Sequence, residues 1–182
     1  MNRKFTTVLA CALLSAPAAF SADAPTIAQL YDGQLAGIEG ELVPLAEAMP
    51  ADRYGFAPSD GAFQGVRTFA QQAKHIAAVL YIVSAGAMEQ KPPVDIGSEN
   101  GPDSIQTKEQ IVQFLKDAFA HAHKAAQSLT AKNQTDLVKS PFGQGTMARG
   151  TLAGLLVWHS FDHYGQMVVY ARMNGIVPPA SR

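Results

Sequence analysis

The stretch that decides the fold is Leu152-Ala153-Gly154-Leu155-Leu156-Val157-Trp158-His159-Ser160-Phe161-Asp162-His163-Tyr164-Gly165-Gln166-Met167-Val168-Val169-Tyr170. Within it Leu152, Leu156, His159, His163, Gln166 and Tyr170 recur in alternating steps of four and three, the spacing of one stripe of an α-helix that faces a core. The stripe predicts a helix from near Thr146 to Asn174, with Gly175 as a left-handed cap and Pro178-Pro179 preventing its resumption. Such a helix is roughly 40 Å long at about 1.5 Å per residue. Its core-facing side is apolar at both ends and polar in the middle.

Three further helices are marked by their starts. Thr26-Ile27-Ala28-Gln29, Thr68-Phe69-Ala70-Gln71 and Thr107-Lys108-Glu109-Gln110 each place a Thr three residues before a Gln, so that each side chain can satisfy a free N–H of the first turn. Apolar stripes follow each one: Ile27, Leu30, Gln34, Ile38, Leu42, Leu45 and Met49, with Pro44 expected to kink the last turns; Phe69, Ile76, Leu80 and Val83; and Ile111, Leu115, Ala118, Ala122, Ala125 and Leu129. Residues 50–67, 86–106 and 131–146 read as loops, and no segment shows the alternation of a strand. The link between the second and third helices is long enough to run the length of a helix, which permits a crossover with parallel neighbours. The expectation is an all-α fold, a four-helix bundle with that crossover, in one domain spanning residues 22–182.

At 182 residues with 47% apolar and 16% charged residues, the chain can enclose a real core and lacks the profile of a disordered protein. A formal net charge of −1 gives no electrostatic reason to expect a nucleic-acid partner. Arg3 and Lys4, the apolar run from Phe5 to Leu14 and the small residues up to Ser21 read as a secretory signal peptide cleaved after Ser21. Cleavage would remove two cations and no acid, taking the net charge to −3, and would also remove Cys11, the only cysteine. The mature protein is then expected in the periplasm or outside the cell, with no disulfide, no thiol nucleophile and no membrane span.

The five histidines carry the chemistry. His159 and His163 project from one helix face about 40° apart and can share an ion. His75 lies on the second helix, on a face otherwise buried through Gln72, Val79 and Ile82. Three buried imidazoles are costly unless each nitrogen finds a partner, and a divalent cation such as zinc, nickel, iron or manganese would satisfy all three. His121 and His123 leave their helix on opposite sides and are expected to be partly exposed. Asp162 is placed either to accept the second N–H of a ligand ring or to stand in solvent, while Gln166 and Tyr170 share the seam and either line a pocket or, for Gln166, bond a neighbouring helix. No residue stands out as a general base.

The run His159-Ser160-Phe161-Asp162-His163-Tyr164-Gly165-Gln166, followed by Arg172-Met173-Asn174-Gly175 and Pro178-Pro179, resembles the C-terminal signature of the DinB/YfiT-like superfamily, H-x-x-x-H-x-G-Q and then an Arg, a Gly and a proline close. The segment from Thr68 to His75 is similar to that family's second helix. The resemblance implies a four-helix bundle with the crossover, a metal site of His75, His159 and His163, and a homodimer. It also implies metal-dependent chemistry on a small-molecule substrate, either thiol transfer or hydrolysis; a noncatalytic exported metal-binding or stress-response bundle is the alternative.

Overall fold

The computed structural model describes residues 24–182. The expected signal peptide and Cys11 lie outside the described residues. The described residues form four α-helices: α1 (Ile27–Ala48), α2 (Phe69–Ala87), α3 (Lys108–Gln127) and α4 (Arg149–Met173). Short 3-10 turns occupy Ala51–Arg53 and Pro179–Ser181. No described helix is long and apolar enough to cross a membrane.

The first three helices begin where the Thr-x-x-Gln pairs place them. Thr26, Thr68 and Thr107 each accept a hydrogen bond from the backbone N–H three residues on, and Gln29, Gln71 and Gln110 each return one to the cap's own N–H. Such a cap stabilises a helix by about 1 kcal/mol and, equally, fixes its first residue. α1 continues through Pro44 as one helix. Its expected stripe holds only in part: Leu30 and Gln34 are exposed, and Leu35 turns inward with Ile38, Leu42 and Leu45 instead. The stripes of α2 and α3 are buried throughout. Phe69, Ile76, Leu80, Ile111, Leu115 and Phe119 reach essentially zero exposure, and each such side chain contributes about 1.5–3 kcal/mol of burial free energy.

Two sequence expectations are corrected here. A small antiparallel sheet is present, with β1 (Leu137–Lys139) paired to β2 (Thr146–Ala148) in the register Leu137–Ala148, Val138–Met147 and Lys139–Thr146. Only Val138 in β1 is buried, so three-residue strands leave no alternation to read. The sheet also moves the start of α4 from Thr146 to Arg149. Its preceding residue, Ala148, has no capping side chain; the Arg149 and Gly150 N–H groups donate instead to the carbonyls of Asp136 and Gln134, at 3.1 and 2.8 Å. The hairpin thus caps the last helix through backbone, and a Cβ on Gly150 would meet the Gln134 carbonyl at 3.1 Å.

Between α2 and α3 the chain forms a tight turn at Gly97–Pro102. Gly97 and Gly101 hold φ of 60° and 77°, the left-handed region, and a Cβ on either would fall 2.7 Å from Pro102 or 2.8 Å from the Lys74 side chain. Lys74 donates to the carbonyls of Pro102 (2.9 Å) and Ile105 (3.1 Å), which fastens this turn to the first half of α2. The same half of α2 carries His75.

Candidate metal centre

His75 stands in the second turn of α2, and His159 and His163 on successive turns of α4. The helices bring the three rings together: centroids are 5.1 Å apart for His75 and His159, 4.6 Å for His75 and His163, and 4.5 Å for His159 and His163. One nitrogen from each ring lies within 4.8 Å of the others. Nitrogens around a tetrahedral ion, bound at about 2.0–2.1 Å, stand roughly 3.4 Å apart, so small ring rotations would close the set. His75 and His163 are buried and His159 half-buried, which leaves one side accessible.

Hydrogen bonding fixes which nitrogen two of the rings present. His75 Nδ1–H donates to the Glu99 carbonyl at 2.5 Å, and a carbonyl can only accept, so the proton sits on Nδ1 and Nε2 carries a free lone pair. His163 Nδ1 stands 2.6 Å from Gln72 Oε1, which is acceptor-only because Gln72 Nε2 donates to Gln166 Oε1 at 2.9 Å. His163 Nε2 is therefore also bare. His159 Nε2 faces His75 Nε2 at 3.2 Å. Two outer supports that aim Nε2 lone pairs inward are the usual partners of metal-binding histidines.

Burial and mutual repulsion keep these rings neutral. Desolvation, followed by the neighbouring His163 and His75, pushes His159 down to about 4. His163 falls to about 4 through desolvation, then His75 and Arg67. His75 is lowered chiefly by desolvation, against the opposing bond to Glu99. A neutral imidazole is the form that binds a cation.

The other residues singled out from sequence lie at differing distances from this centre. Gln166 reaches it through Gln72 and so bonds the neighbouring helix. Asp162 is exposed and makes no hydrogen bond to a ligand ring, although its charge favours protonation of His159. Tyr170 is buried two turns beyond His163, packed edge-on against Phe56 at 5.8 Å. His121 is corrected: it is buried, not partly exposed, because Ser84 of α2 meets its Nδ1 at 2.6 Å. His123 faces α1 and is half-buried, so the pair does diverge. Sequence reasoning missed Gln72 as an acceptor and the Glu99 carbonyl altogether. Gln72 carried a signal, a polar residue on a buried stripe beside His75; a backbone carbonyl carries none.

A cavity of about 1010 Å³ forms a groove between the end of α2 and the hairpin, lined by residues including Ile82, Pro92, Ile96 and Pro141 and by none of the three histidines. The histidine cluster, not this groove, brings three potential metal ligands together at one point.

The family model described as the DinB superfamily matches residues 34–167. Among solved structures, the fold is similar to a DinB-like protein from Bacillus cereus ATCC 10987, at 18% identity and a TM-score of 0.65 over 82% of this chain and 93% of that one. A DinB-like protein from Bacillus subtilis is similar at 15% identity and a TM-score of 0.58, over 80% and 92%. No curated protein matches the chain.

Proposed function

The chain belongs to the DinB superfamily, and from that premise we propose that it binds a divalent cation through His75, His159 and His163 and acts as a metal-dependent transferase or hydrolase on a small molecule. The observation that carries the proposal is the convergence of three neutral rings, two of them with Nδ1–H tied to fixed acceptors and Nε2 turned inward. A bound divalent cation would supply Lewis acidity and lower the pKa of a water or thiol nucleophile toward neutrality. Three protein ligands leave room for such a nucleophile, the pattern of catalytic rather than closed structural sites.

The protein's own part is positional. Gln72 and the Glu99 carbonyl hold two rings, Gln166 holds Gln72, and the half-buried edge at His159 admits a ligand. We also read residues 88–107 as a crossover that sets α2 and α3 parallel; the contact of Lys74 with Pro102 and Ile105 near one end and of Ser84 with His121 near the other supports it. Export through residues 1–21 belongs to the same reading. Turnover on a panel of thiol acceptors and activated esters tests the enzymatic part: activity lost on chelation and restored by a divalent metal is expected, whereas metal-replete protein inert on the whole panel would favour a noncatalytic metal-binding role.

A further inference from the structure

The trihistidine set has no carboxylate in it, so a bound divalent ion would keep its full charge, and one further cation stands beside it. Arg67 immediately precedes the Thr68 cap of α2, eight residues before His75. Its Nε donates to Asn100 Oδ1 at 2.9 Å, and its Nη2 lies 3.5 Å from Glu99 Oε2, long for a charge-assisted bond. Because the Glu99 carbonyl also holds His75, one turn of chain grips both the guanidinium and a ring of the cluster. The Glu99 carboxylate neutralises Arg67 weakly, its side chain being 82% exposed, and the Arg67 side chain remains 33% exposed. Nη1 makes no hydrogen bond among the described residues.

Resting on the metal-site reading above, we propose that Arg67 is the anion-recognition residue of this site, its guanidinium binding a carboxylate or phosphate group of the small-molecule substrate beside the trihistidine cluster. A planar fork with a free N–H, tied to Asn100 and Glu99 beside a cluster that would hold a cation, matches such an oxyanion. Thr68 and the glycine-dependent Gly97–Pro102 turn position the fork; neither needs to touch the ligand. Exposed Trp158 stands beside the half-buried member of the cluster, its ring 6.1 Å from that of His159.

Calorimetric titration of the metal-loaded, untagged protein with inorganic phosphate and with succinate tests this, alongside metal content and helicity. Arg67→Gln is expected to keep its metal and weaken the tighter-binding probe by about tenfold or more, the loss of one charged hydrogen-bonding partner. Asn100→Ala, which removes the tether but not the charge, is expected to change it by less than about threefold on the same scale. The tighter of the two probes identifies the oxyanion. Unchanged affinity in Arg67→Gln with metal retained overturns the role of Arg67 and leaves the metal site standing; a wild-type protein that holds no metal overturns both. Should Arg67→Gln lose helicity, Arg67→Lys keeps the charge without the fork, and undiminished binding there overturns the proposal.

Discussion

Two histidine groups on opposite sides of the bundle show how neighbours decide what an imidazole is for. Between α2 and α4, His75, His159 and His163 face one another, no carboxylate among the described residues hydrogen-bonds to them, and burial holds them neutral. Between α1 and α3, His123 sits with Nδ1 2.6 Å from Asp32 and Nε2 3.1 Å from Glu39. Burial acts to lower this ring too, but hydrogen bonds and charges from the two acids outweigh it and raise its pKa, while the bond to His123 lowers that of Asp32. His123 spends both nitrogens on separate acids, so it is an ion-paired strap between helices. The α2–α4 rings keep one nitrogen each in reserve, which is what a metal requires.

The largest contrast is in metal content. Replacing His159 or His163 by Ala is expected to take bound divalent metal from about one per chain to near zero, whereas His123→Ala should leave it unchanged; elemental analysis reads both. Next is the support of His163. Gln72→Ala removes the acceptor for Nδ1–H and is expected to weaken metal affinity about 10–100-fold without unfolding the bundle, measured by competition with a chelator.

A third contrast lies in pH, where the two groups have opposite signs. His159 and His163, with folded values of about 4, resist protonation that the unfolded chain accepts near 6.5. In metal-free protein their contribution is present above about 6.5 and is lost as pH falls from there towards about 4. His123, with a raised value, contributes fully below about 6.5 and loses that contribution as pH rises through its folded pKa. Imidazole NMR titration should show His123 still doubly protonated above the pH at which the other three are neutral; early deprotonation of His123 would remove the contrast. The smallest effect is thermodynamic: His123→Gln should cost about 1 kcal/mol in denaturant unfolding, since the partners are partly solvated and such pairs are weak.

Those same two regions show what can be read from a linear chain. The helices were legible because Thr-x-x-Gln caps are local, and the trihistidine set because two members share a turn spacing and the third lies on a buried stripe. The acid pocket of His123 was not, since Asp32 and Glu39 lie 91 and 84 residues away and nothing in helical spacing pairs them with α3. His121 was misjudged for the same reason: its partner Ser84 is on another helix, and periodicity alone leaves a histidine at a boundary. The hairpin escaped because its strands are three residues long and its work, capping α4, is done by carbonyls of Gln134 and Asp136. Arg67 and Asn100 come together only when the Gly97–Pro102 turn folds against Lys74.

The central claim is that the α2–α4 cluster is a metal site, and metal stoichiometry of the untagged protein, purified without added chelator, tests it most directly. About one divalent ion per chain in the wild type, absent in His159→Ala while circular dichroism stays helical, is the predicted result. A metal-free wild type that takes up none on titration, or a His159→Ala variant with undiminished stoichiometry, would contradict it.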